Sequence, residues 1–291
     1  MSGPPAAARP RLLLALLVLV WAASWPAIKL GVATVSPVWY GCLRYLIATV
    51  CLFVLVALRG WLVWPTPSDW RLVGVSGALQ MGTYSALTGF ALTRLPPGRA
   101  SVLAFSTPLW VAPLAAWRLH ERVSARAWCG IGVGLAGVLV IAAPTLRSGG
   151  RHGLLAYASL MAAAAAWAVS IVAVRAHRFD APTLALAPWQ ALVAAALLGP
   201  LALVLEGRPP RIGPSAIASL AYVGPVATAF AYWAVVEAGR HFRANTMAMV
   251  LLATPSLGLV ISALALGERV DGPLVAGVLL VGAGIRLATA G

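Results

Sequence analysis

Ten side chains in this sequence have the types and spacing to hold a small molecule: Trp21, Ser24, Gln80, Tyr84, Phe105, Pro108, Trp167, Tyr232, Trp233 and Pro255. Aromatic faces stack on planar or cationic groups, and their polar edges orient what they stack on. A proline inside a helix donates no backbone N–H and clashes with the carbonyl four residues earlier. Pro108 and Pro255 would therefore free the carbonyls of Ala104 and Leu251. This is the chemistry of recognition. Bond-breaking chemistry is poorly supplied, because the chain has only 7 acidic residues and 4 histidines. They fall in connections or at the ends of apolar runs. Cys42, Cys51 and Cys129 show no paired spacing, so neither disulfides nor a metal site is expected. No catalytic residue, metal ligand or cofactor is expected.

Composition says what must position these groups. Of 291 residues, 61% are hydrophobic and 10% are charged, against roughly 25% charged in soluble domains. The net charge of +14 would suggest nucleic acid in a soluble protein, but here the 21 Lys and Arg are scattered through short connections. No basic face forms, so nucleic acid is excluded as a partner and the lipid bilayer takes its place. Apolar runs cover 10–30, 38–58, 71–93, 97–118 and 126–143, then 154–174, 183–205, 214–237, 243–266 and 272–289. Each is long enough for a helix to cross ~30 Å of hydrocarbon. The basic start and Trp21-Ala22-Ala23-Ser24 imitate a signal peptide and its cleavage site. The apolar run continues past that point, so an uncleaved first span is expected.

The ten runs form two sets. Thr107-Pro108, Glu121-Arg122-Val123, Gly130 and Gly137 recur as Thr254-Pro255, Glu268-Arg269-Val270, Gly277 and Gly284 in one register. Trp21, Ser24 and Lys29 are echoed by Trp167, Ser170 and Arg175. The expected fold is thus all-α, with ten transmembrane helices arranged as two five-helix repeats over 10–143 and 154–289. Five is odd, so the second repeat is inverted in the bilayer. Twelve basic residues fall on the side of the termini and eight on the other, with Arg44 inside the second segment. This places both termini in the cytoplasm.

The motif Trp21-Ala22-Ala23-Ser24-Trp25-Pro26-Ala27-Ile28-Lys29, Pro37 and Leu43-Arg44-Tyr45 resemble the drug/metabolite transporter superfamily, in particular its EamA-domain exporters. Both copies of Thr-Pro followed by Glu-Arg-Val and a glycine helix extend the resemblance to nearly the whole chain. It implies an integral inner-membrane protein with both termini cytoplasmic, and a central cavity lined mainly by helices 1, 3, 4, 6, 8 and 9. It also implies export of small molecules, amino acids and related metabolites, some of them aromatic. The second repeat has Trp189-Gln190 where Arg44-Tyr45 would recur, so any anion-reading role of Arg44 is one-sided.

Within this frame the prolines mark mid-membrane interruptions in corresponding helices, where inverted-repeat transporters commonly place their site. Ser101, Phe105 and Pro108 share a stripe, and Thr228, Asn245, Thr246, Thr254 and Ser256 are further polar groups at depth. A serine or threonine there ordinarily bonds its own helix backbone. Arg44 could snorkel outward, pair with a carbonyl, or meet a substrate carboxylate. Glu121 and Glu268 would cap or gate by pairing with loop arginines. Gly130, Gly134, Gly137, Gly277 and Gly284 give helices 5 and 10 a packing role outside the pathway. Trp39, Trp61, Trp64 and Trp70 are interface anchors.

An intramembrane serine protease using Ser76 of Gly74-Val75-Ser76-Gly77 is the alternative from another class. Its serine lacks a placed histidine, since His120, His152, His177 and His241 are all peripheral. A transporter of other drugs or metabolites remains the alternative within the class. With no carboxylate embedded in a span, alternating access without proton coupling is expected, and the oligomeric state is left open.

Overall fold

The computed structural model describes residues 8–147, 150–177, 179–242 and 244–289. Arg178 and Arg243, two cations of the orientation argument, lie outside them, as does the Asn245 side chain. The described residues make ten helical passes. They are α1 (Ala8–Val32), α2 (Pro37–Leu58), α3 (Pro67–Val75, Ser76–Thr83 and Tyr84–Leu92 in succession), α4 (Pro97–Leu119), α5 (Ala125–Arg147), α6 (Arg151–Ala176), α7 (Thr183–Leu205), α8 (Pro214–Gly239), α9 (Ala244–Leu251 then Ala253–Leu266) and α10 (Gly272–Thr289). α1 runs unbroken through the signal-like stretch. Eight passes are long and apolar enough to span a bilayer as they stand. The other two are α3 and α9.

Starts are set by chain chemistry. Pro37, Pro67, Pro97 and Pro214 occupy first-turn positions, where a missing N–H costs nothing. Thr66 and Asp69 add a reciprocal capping box at α3. Outward faces carry Leu58, Val204, Leu264 and Leu279, all strongly exposed. Such a surface is a liability in water and a match to lipid tails.

Packing follows the repeat. α1 lies against α8 and α9, and α6 against α3 and α4; α2 pairs with α7, and α5 with α10. Helices 2 and 7, and 5 and 10, are corresponding partners facing each other across the pseudo-two-fold axis. The α5–α10 seam depends on its glycines. A Cβ on Gly277 would stand 2.3 Å from Ile141 Cγ1, and one on Gly130 2.5 Å from the Ala288 nitrogen. The seam thus confirms the packing role expected of these glycines.

Trp39 departs from expectation. It is buried, with its indole N–H donating to the Gly207 carbonyl at 3.1 Å, because the carboxylate of Glu206 draws that connection onto the start of α2. Trp64 and Trp70 pack edge-on with Trp189 at the other end of the bundle.

Candidate functional site

Trp21 stands 11 residues from each end of Pro10–Val32, and Pro108 stands 11 from each end of Pro97–Leu119. Both therefore sit at mid-membrane depth, ~17 Å from either end of their span. Around them lies a cavity of about 520 Å³. Eight of the ten candidate residues line it: Trp21, Ser24, Gln80, Tyr84, Phe105, Pro108, Trp167 and Tyr232. Trp233 and Pro255 do not. The Trp233 ring turns toward Phe230 and the Arg59 guanidinium, while Pro255 is buried and its carbonyl accepts from Ser101 Oγ at 3.4 Å.

Helices 4 and 9 are both broken near their prolines, as the sequence suggested. In α4 the break falls at Phe105-Ser106, between Pro97–Ala104 and Thr107–Leu119. The Ala104 carbonyl is not left open: Thr107 Oγ1 donates to it at 2.9 Å. In α9 the break falls at Leu252, and the equivalent Thr254 hydroxyl is buried without a partner among the described residues. The same proline therefore leaves different polar residues in the two repeats.

Helices 3 and 8 hold a feature the sequence reading missed. Ser76–Thr83 and Pro225–Phe230 are wide π-helical turns at corresponding positions. Such turns concentrate at functional sites because they release backbone groups and re-aim side chains. The signal was present: Pro225 has no N–H to complete an α turn, Gly224 precedes it, and Gly77 and Gly82 lie within the first stretch. The turns aim Gln80 and Thr228 into the cavity.

Most wall groups have partners. Trp21 Nε1 donates to the Ala227 carbonyl at 3.2 Å. Ser24 Oγ returns to the Trp21 carbonyl at 2.7 Å, the ordinary fate of a membrane serine. Tyr232 donates to Gln190 Oε1 at 2.9 Å, and Ser170 to Gln80 Oε1 at 3.3 Å. Tyr84 and Trp167 meet edge-to-face at 4.9 Å. Arg44 also lines the cavity and does not snorkel, because Thr228 Oγ1 accepts from its Nε at 2.9 Å. Ile285 and Thr289 of α10 border the cavity too, so that helix is not confined to packing.

The cavity is open at one end. Its lining reaches Thr183 and Thr289, both exposed at helix termini on the side of residue 8. Toward the far side it stops at Ile28, Arg44 and Thr88. Beyond them Lys29 Nζ donates to the carbonyls of Leu92 (2.5 Å) and Leu95 (3.3 Å). Glu268 accepts from the N–H groups of Gly98 (2.7 Å) and Arg99 (3.1 Å), capping α4. Arg99 pairs with Asp271. Burial pushes the Glu268 carboxyl above the usual carboxylate range, against the downward pull of its two N–H donors. Of the capping or gating expected of Glu268, the structure shows capping, through backbone amides in place of loop arginines.

Ser76 is buried against Ser170 Oγ at 3.5 Å. His241 pairs with Glu237, and His177 lies exposed beside the Ala173 carbonyl. Among the described residues no histidine hydrogen-bonds Ser76.

The EamA-like transporter family matches twice, over residues 9–143 and 154–290. The chain belongs to that family. A chain described as a probable amino-acid metabolite efflux pump, from Salmonella typhimurium, is 27% identical over 94% of this protein and 92% of its own length. A probable terminal-alkyne amino-acid exporter from Streptantibioticus cattleyicolor is 28% identical, covering 92% and 91%. One solved crystal structure superposes with a TM-score of 0.67 at 25% identity, covering 97% of each chain. The protein is an integral membrane transporter of the EamA-like family, acting on a small-molecule substrate across the bilayer.

Proposed function

We propose that this transporter exports amino acids or closely related metabolites from the cytoplasm across the cell membrane by alternating access. The observation that carries the reading is the mid-membrane cavity, walled among the described residues by aromatic, aliphatic and neutral polar groups with Arg44 as its one charged side chain, and reaching the side of the termini. Its size suits one small metabolite. The names of the two relatives point the same way, toward amino-acid compounds. With the termini cytoplasmic, as the arginine bias argues, the open end faces the cytoplasm. Trp21, Ser24, Gln80, Tyr84, Phe105, Pro108, Trp167 and Tyr232 are the proposed substrate contacts, with Trp233 and Pro255 supporting them from outside the wall.

No acidic residue lines the cavity. The proposed coupling is therefore facilitated diffusion or exchange, since a proton-driven carrier needs a titratable group that reaches both faces. The test is flux and counterflow of a panel of amino acids by purified protein in liposomes. Saturable counterflow is expected. Concentrative uptake driven by a pH gradient alone, with the membrane potential clamped, would overturn the coupling reading. Absence of flux for every amino acid would overturn the substrate reading.

A further inference from the structure

We propose that Arg44 reads the carboxylate of the substrate, and that the cavity takes apolar or aromatic monocarboxylates as a class, with or without an α-amino group. The inference rests on the export reading above and sharpens its substrate.

Arg44 lies seven residues into the span Pro37–Leu58, roughly 10 Å along the helix axis. Its Nε donates to Thr228 Oγ1 at 2.9 Å, and Thr228 donates in turn to the Val223 carbonyl at 2.7 Å. The threonine can only accept from arginine in this arrangement, which fixes one edge of the guanidinium. The Tyr45 ring supports it at 5.3 Å. Among the described residues its remaining N–H groups have no protein acceptor. A cation at this depth with no counter-ion is costly, and such residues mark ligand or ion pathways.

Among the described residues the protein supplies no matching anion. All seven side-chain carboxylates are described and engaged elsewhere. Glu206 accepts from the N–H groups of Val38 and Trp39. Glu268 caps α4, and Asp271 holds Arg99. Asp69 accepts from the Asp180 N–H, and Asp180 from Thr66 and Ser68. Glu121 pairs with Arg175, and Glu237 with Arg240 and His241. None lines the cavity.

An amino acid therefore finds a counter-charge for its carboxylate and none for its ammonium. The ammonium meets ring faces and the neutral Gln80. A hydrogen bond to a charged group is worth roughly 10- to 100-fold in affinity, and a guanidinium can present two side by side to one carboxylate, whereas a cation over a desolvated ring gives about 30-fold. The carboxylate end dominates recognition.

The test titrates intrinsic tryptophan fluorescence of the purified full-length protein with L-phenylalanine, 3-phenylpropionate and phenethylamine; Trp21, Trp25 and Trp167 line the cavity and report occupancy. We expect 3-phenylpropionate to bind within about threefold of phenylalanine and phenethylamine at least about tenfold more weakly. Arg44→Gln should weaken both carboxylates by roughly 10- to 100-fold and leave phenethylamine unchanged, with partial recovery in Arg44→Lys. A purely structural arginine would weaken all three together, and that result overturns the assignment. Thr228→Val keeps the charge, removes its holder and should weaken the carboxylates alone, so the question survives if Arg44→Gln does not fold. Phenylalanine binding while 3-phenylpropionate fails, or phenethylamine matching phenylalanine, also overturns the assignment and leaves the export reading intact. Binding by none of the three to protein that melts normally overturns the assignment, and the export reading falls with it only if the amino-acid panel also gives no flux.

Discussion

Two glutamates occupy equivalent places in the two repeats and do different work. Glu268 is drawn into the closed end, where it accepts two backbone N–H groups of α4. Glu121 sits at the open end, 45% exposed, and among the described residues pairs with Arg175 at 3.7 Å. Their basic neighbours differ in the same way. Lys29 holds the carbonyls of Leu92 and Leu95, whereas its counterpart Arg175 is 51% exposed. Identical sequence motifs in inverted repeats thus give one fastened end and one loose end. A carrier caught in one of two related conformations has this form. By repeat correspondence Asn245 and Thr246 are the positions equivalent to Gly98 and Arg99, which face Glu268 here.

That comparison can be broken most directly at Glu268. Glu268→Ala removes a helix cap of about 1–2 kcal/mol, so the ratio of cavities closed to open at the far end should fall by roughly 5- to 30-fold. The measurement is labelling of a Thr88→Cys reporter from that side, in protein lacking Cys42, Cys51 and Cys129. Glu121→Ala should leave this labelling within about twofold, since an exposed pair contributes ~0–1 kcal/mol, and the double variant should move back toward the parent. Equal effects of both single substitutions would show that the two ends are not exchanged by the repeat.

The prolines sharpen the same contrast. Pro108 lines the cavity and Pro255 is buried behind it. Alanine restores the missing helix N–H in both cases, so insertion and expression should hold. Transport should fall several-fold in Pro108→Ala and less in Pro255→Ala. Liposome flux normalised to reconstituted protein checks this, and wild-type rates in both variants would reduce the prolines to incidental kinks.

Tryptophans give a graded version. Cysteine at Trp21 or Trp167 should react with a polar thiol reagent and be protected by substrate, while cysteine at Trp233 should react at least several-fold more slowly.

The smallest effect concerns pH. Burial raises the Glu268 pKa in the closed end. Release into solvent removes that burial, and its pKa falls back toward the ordinary carboxylate range. The state with the higher pKa binds protons preferentially, so falling pH through that range should favour closure of the far end. Labelling of Thr88→Cys should slow modestly as pH drops, and Glu268→Gln should abolish the dependence.

Much of this molecule is written in one dimension. Length, hydropathy and the seven repeated landmarks dictate ten helices in inverted halves, because lipid supplies no backbone partners and an odd repeat must invert. The prolines and aromatic residues located the depth of the cavity for the same reason: a helix rises 1.5 Å per residue, so a central position in a span is a central position in the membrane. What depended on tertiary packing was which groups are already taken. Trp233 and Trp167 read alike in sequence, yet only Trp167 faces the cavity, because neighbouring helices decide which side of a uniformly apolar helix is inward. Arg44 could have snorkelled until Thr228, 184 residues away, met its Nε. The π turns of α3 and α8 needed the fold to reveal them, since a glycine or proline permits such a turn without requiring it. Most of all, two copies of one motif cannot announce from sequence which end is fastened. That asymmetry belongs to a conformation, and only the assembled helices choose one.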